Sequence, residues 1–122
     1  MINNTDGKAN RARGDEFELC VIQKLEQVGF KHVVNTRDID DELDKQGVDV
    51  CINNEIQYSY LPYNLSIKAT SKLENYPAIL DKLPKDNKVN VLLHRKYMKG
   101  NIVGEYAILP LNSFLNLIRN NE

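Results

Sequence analysis

The feature that most restricts the fold is a change of hydrophobic period along the chain. Over residues 15–29, Phe17, Val21, Leu25 and Val28 recur near the spacing of a helix turn, and Gly29 stands at a natural C-terminal stop. From residue 48 the period falls to two. Val48, Val50 and Ile52 alternate with Asp49 and Cys51; in residues 64–70, Leu65, Ile67 and Ala69 share one face while Asn64, Ser66, Lys68 and Thr70 share the other. A half-apolar helix and half-apolar strands bury their faces only against one another, which predicts an α/β chain.

The remaining segments fill in that plan. Residues 32–35 read as a short strand and residues 38–46 as an acidic loop ahead of Gly47, carrying Asp38, Asp40, Asp41, Glu42 and Asp44. Asn53 and Asn54 read as a turn, residues 56–60 as a further strand, and residues 61–63, with Pro62, as its interruption. Pro77 opens a short helix over residues 77–83 that stops before Pro84. Residues 89–93 and 103–109 read as strands separated by a turn at Lys99 and Gly100, and Leu111, Phe114, Leu115 and Ile118 return to helical spacing. The expected architecture is an α/β sandwich with a central mixed sheet of about five strands, the first helix on one face and the short and final helices covering the remainder. Residues 1–13 lack apolar periodicity and predict a flexible basic arm, ordered by a partner, ahead of a single domain over residues 14–122.

Composition narrows the class. A chain of 122 residues, 42% hydrophobic and 27% charged, fits one folded domain. A formal net charge of −1 argues against a general nucleic-acid coat protein. Cys20 and Cys51 sit in apolar runs and read as buried thiols. No apolar stretch reaches the roughly 18 residues of a membrane span, and the polar N-terminus does not suit a signal peptide, so the expected setting is cytoplasmic.

Charge is unevenly placed. Lys8, Arg11 and Arg13 form one basic cluster, and Lys82, Lys85, Lys88, Arg95, Lys96 and Lys99 form a second against Asp86 alone. Either can be solvated surface, or a rim gripping phosphates around the acidic centre of the chain. Metal-dependent phosphodiester hydrolysis needs carboxylates for a hard cation and a positive group near the phosphate. Asp49, Ser66 and Lys68 lie on polar strand positions, the Ile67 main-chain carbonyl could complete an oxygen shell, and Glu18 on the first helix can lean toward the sheet edge. Each has a plainer alternative: Glu18 in a capping box with Asp15, Asp49 as the end of the acidic loop, Lys68 as an exposed cation. His94 at a strand end is a structural or phosphate-contacting candidate; His32 and His94 lack the spacing of zinc ligands. Tyr58, Tyr60 and Tyr63 can stack on bases or cover a sheet.

Gly14-Asp15-Glu16-Phe17-Glu18 opening a helix that ends at Gly29-Phe30, then Gly47-Val48-Asp49-Val50, then Leu65-Ser66-Ile67-Lys68, resembles the PD-(D/E)XK nuclease superfamily, especially small phage-type and Holliday-junction-resolvase-like endonucleases. The motifs span residues 14–70. The resemblance implies a restriction-endonuclease-like three-layer fold, Mg²⁺ or Mn²⁺ as cofactor, DNA as substrate and a homodimer as the working form. It makes Glu18 the helix glutamate, Asp49 the metal-binding aspartate and Lys68 the lysine that orients water or steadies phosphate; the basic clusters supply Lys8, Arg11, Arg13, Lys85, Lys88, Arg95 and Lys96 as the expected DNA contacts. Ser66 stands where the family carries an acid or glutamine. That departure keeps a second reading open, a weak or inactive module that binds DNA or a protein partner of a mobile element. A third is a small interaction or inhibitor protein that meets a basic partner through residues 38–44.

Overall fold

The computed structural model describes residues 4–53, 60–73 and 75–120. The chain forms helix α1 (Asn4–Gln27), strand β1 (Val33–Asn35), a 3₁₀ turn (Thr36–Asp38), helix α2 (Asp41–Lys45), strands β2 (Val50–Ile52) and β3 (Tyr63–Thr70), helix α3 (Tyr76–Lys82), strands β4 (Val89–Met98) and β5 (Asn101–Ile108), and helix α4 (Leu111–Asn120). The strands make one mixed sheet in the order β1-β2-β3-β4-β5. Among the described residues only β3 and β4 run parallel, joined by a crossover through α3. Among the described residues no helix is long and apolar enough to cross a membrane.

Four sequence expectations need correction. First, α1 begins at Asn4, so the segment read as an arm is largely the N-terminal half of the helix. Residues 8–13 are alanine, arginine, lysine and asparagine without proline. They suit a helix but have no apolar stripe, because they are mostly exposed. Second, the acidic loop contains α2. Asp40 caps it by accepting the Leu43 N–H at 3.0 Å, and Asp41, Glu42 and Asp44 lie where the helix dipole favours negative charge. Third, β4 and β5 extend beyond residues 93 and before residue 103, meeting at Lys99 and Gly100, whose φ angles of 51° and 83° are those of a tight hairpin turn. Fourth, α4 is expected to cover part of the sheet, yet none of its residues is buried. The strand expected over residues 56–60, including Tyr58, falls outside the described residues except for Tyr60, which is not in a strand.

The core lies between α1 and one sheet face. Phe17, Val21 and Ile22 pack on Val33, Val50, Ile52, Leu65, Ile67, Ala69, Val91 and Tyr97. Phe17, Val21, Val50, Ile52, Leu65, Ile67 and Ala69 are positions the two periods mark as inward-facing, whereas Val28, marked with them, is 74% exposed. The helix ends as its sequence suggests, with Gly29 N–H on Glu26 O at 3.1 Å and Phe30 N–H on Leu25 O at 3.0 Å. On the opposite face α3 meets β4, and Val48, Leu83 and Leu92 are fully buried there outside the main core. Asn64, also buried, donates its side-chain amide to Asp86 at 3.0 Å and Asn90 at 2.9 Å, tying the loop after α3 to the sheet.

Candidate functional site

Asp49 owes its position to the turn that precedes it. Gly47 (φ 93°) adopts a left-handed conformation that closes α2, its N–H bonding Asp44 O at 3.0 Å and the Val48 N–H bonding Leu43 O at 3.3 Å. The chain then leads into β2 at Val50, and Asp49 is pinned from both sides: its N–H donates to Leu65 O at 2.8 Å and its carbonyl accepts the Thr36 N–H at 3.0 Å. The side chain is pinned too, since Asp49 Oδ2 accepts the Ile67 N–H at 2.6 Å. The N–H and C=O of one strand residue point to the same side, so the Ile67 carbonyl also faces Asp49.

Asp49, Ser66 and Lys68 line one cleft of about 410 Å³, with Asp44, Gly47, Asn75, Ala78, Ile79 and Lys82 completing its wall. Burial raises the Asp49 carboxyl from an ordinary 3.8 to about 6. The Ile67 N–H opposes that rise, the Glu18 charge adds to it, and Lys68 lowers it. Ser66 is buried at the cleft floor while Lys68 is exposed at its rim. In the parallel ladder Lys68 stands opposite His94 and Thr70 opposite Lys96, so these side chains share the cleft face. A second cleft of about 420 Å³ lies beside them, lined by Ser71, Lys72, Leu73, His94, Lys96 and Tyr106. His94 is buried with Nε2 at 3.1 Å from both Thr70 Oγ1 and Thr70 O, a structural tie between the two strands.

Glu18 lies near enough for its charge to act on Asp49, but its carboxylate is held by Arg37. Arg37 Nη1 is 2.7 Å from one oxygen and 3.3 Å from the other, and Asp15 approaches the same guanidinium at 3.7 Å. Since α1 starts at Asn4, Asp15 is well inside the helix and the capping-box alternative for Glu18 does not apply. Arg37 is the residue the sequence reading missed. A pair nineteen positions apart on a helix and a turn leaves no periodic signal.

The basic residues divide. Arg95 is not on the surface: only 7% of its side chain is exposed, it donates to Glu105 at 2.8 Å, and its guanidinium stacks 4.6 Å from the Phe17 ring on the α1 face. Arg13 stacks on Tyr97 at 4.5 Å, Lys88 lies 5.2 Å from the Tyr60 ring, and Lys85 bonds Asp81 O at 2.8 Å. Lys8 and Arg11 are exposed on the N-terminal half of α1. Of the expected DNA contacts, Lys96 is the one on the cleft face. Lys82, a member of the second basic cluster, and Lys72, which the sequence did not single out, join it there.

The donors around Asp49 are all oxygen, which suits a hard divalent cation. Asp49, Ser66 and the Ile67 carbonyl supply one full charge, and Glu18 supplies a second only if it leaves Arg37. Among the described residues no three His, Cys, Asp or Glu side chains gather as a metal-ligating group. Comparison of the chain with protein-family models, curated proteins and solved structures finds no match.

Proposed function

We propose that this chain is a metal-dependent endonuclease acting on DNA, branched or structured DNA in particular, with a sheet of the restriction-endonuclease-like kind and a homodimer as the working form. The observation that carries the reading is the meeting of Asp49, Ser66 and Lys68 in one cleft. In this role Asp49 and the Ile67 carbonyl hold Mg²⁺ or Mn²⁺, Ser66 adds a neutral oxygen, and Glu18 adds charge when Arg37 turns to the DNA. A divalent cation bound there supplies Lewis-acid stabilisation and a more acidic water. The protein's own contributions are distinct. The Ile67 N–H fixes the Asp49 carboxylate, Lys68 offsets charge on the attacked phosphate and steadies the water, and Lys72, Lys82 and Lys96 grip flanking phosphates.

Ser66 and the Arg37–Glu18 pair favour one alternative, a module that binds DNA without cutting it. Incubation of purified protein with branched and linear DNA, with and without Mn²⁺ or Mg²⁺, separates the two. Nuclease action requires ion-dependent cutting that Asp49→Asn abolishes. Salt-sensitive binding without cutting by either ion establishes the binding module, and absence of DNA binding at low salt removes both readings.

A further inference from the structure

Among the described residues, an apolar helix buries none of its side chains and an apolar groove stands open. Leu111, Phe114, Leu115 and Ile118 occupy positions i, i+3, i+4 and i+7 of α4, forming one stripe, and are 70, 48, 50 and 47% exposed. A helix so divided into apolar and polar sides is stable when the apolar side is packed. The groove, of about 350 Å³, runs between α1 and the β4–β5 edge. Val21, Leu25 and Val28 form one wall, Leu93, Tyr106 and Ala107 the other. Its charged groups, Lys24 and Glu105, are paired with each other at 3.1 Å. No residue of α4 from the same chain lines it.

We propose that α4 docks into this groove on a second copy of the chain, each copy giving a helix and receiving one. Three features favour a second copy as the occupant. Ala107 lines the groove and the helix begins four residues later at Leu111, so one chain carries both a ridge and a recess, as a self-complementary two-fold contact requires. The charges also fit: Arg119 is the one charged group of α4, the groove's own charges cancel, and a net charge of −1 per chain gives little repulsion between copies. Two stripes seated in two grooves remove on the order of 1,200 Å² from water, enough for a stable interface. The contact uses none of the cleft residues. It deepens the homodimer part of the proposed function by naming the surface, and it stands or falls separately from DNA cutting.

Sedimentation equilibrium on the full chain tests it. The expected mass is twice 14.0 kDa. Leu115→Glu with Ile118→Glu on the stripe, or Val28→Lys on the groove, should each weaken association roughly thirty-fold or more. All three positions are solvent-exposed in the single chain, so circular dichroism should show an unchanged fold. Mixing the two variants should restore dimers, because one helix–groove pair is then native and the other sets acids near a base. In a Cys20→Ser background, a short bis-maleimide should join Val28→Cys on one copy to Leu115→Cys on another. A monomer at all concentrations, or a dimer indifferent to Val28→Lys and not joined in the cross-linking experiment, overturns the proposal.

Discussion

Leu92 and Leu115 are both leucines on regular elements, yet Leu92 is fully buried on the face that α3 covers and Leu115 is half exposed on α4. The cleft region is closed by its own chain: a capped α2, a glycine turn and a buried polar bond set Asp49 against β3. The α4 region has the same amphipathic sequence logic without a partner inside the molecule. An apolar pattern states that a face will be covered; it does not state by which chain.

Truncation gives the largest contrast. Leu92→Ala should lower unfolding free energy by about 2–5 kcal/mol, whereas Leu115→Ala should change it by no more than about 0.5 kcal/mol at concentrations where the chain is monomeric. Urea titrations of the two variants measure both, and equal losses would mean that α4 is covered within one chain. Next in size is Glu105→Ala, at the lip of the groove. It leaves the Arg95 guanidinium buried on Phe17 without its carboxylate partner and should cost about 2 kcal/mol in the same titration, against less than about 0.5 kcal/mol for the exposed Glu16→Ala on α1.

A smaller effect of opposite sign is expected at the cleft. Folding holds the Asp49 proton more tightly, with a pKa of about 6 against an ordinary 3.8, so ionised Asp49 works against the folded state. Stability contributed by the protonated form is fully present below about pH 4 and is lost as pH rises through about 6. Asp49→Asn removes this dependence and keeps an oxygen for the Ile67 N–H. In metal-free buffer it should stabilise the chain by about 1–2 kcal/mol at pH 8 and by almost nothing at pH 4. Thermal melts across pH would contradict this if the variant were less stable than wild type throughout. The smallest effect concerns metal: Ser66→Glu should tighten Mn²⁺ binding by roughly tenfold in calorimetry and raise any cutting rate, and unchanged binding would place Ser66 outside the ligand shell.

How much of this was legible in the sequence follows from what periodicity reports. Leu65, Ile67 and Ala69 gave β3 its inward face, and Phe17, Val21 and Leu25 gave α1 its stripe, because burial imposes the period. The N-terminal half of α1 left no such mark, since an exposed helix has no side to hide. α2 was legible in principle: Asp40 ahead of Leu43 and Gly47 behind it are start and stop signals, masked by a run of acids that looked like a loop. Arg37 on Glu18 and Arg95 under Glu105 were not legible. Their partners come from other elements, and an arginine looks equally cationic whether it faces DNA or a buried carboxylate. For the site, alternation put Ser66 and Lys68 on one side, while the capture of Asp49 by the Ile67 N–H depends on how β2 begins against β3.

The parallel pairing of β3 with β4 also bears on when the cleft can exist. The β4–β5 hairpin closes across two residues and α1 needs only its own chain, so both can form locally and early. The β3–β4 contact must wait until α3 has bridged the two strands, a longer loop with a larger entropic barrier. The α3 wall of the cleft joins Asp49 and Lys68, which the β2–β3 contact sets together, at that later step. A partly folded chain would therefore carry its helix and hairpin before it carried a site, and maturation of the cleft would report completion of folding.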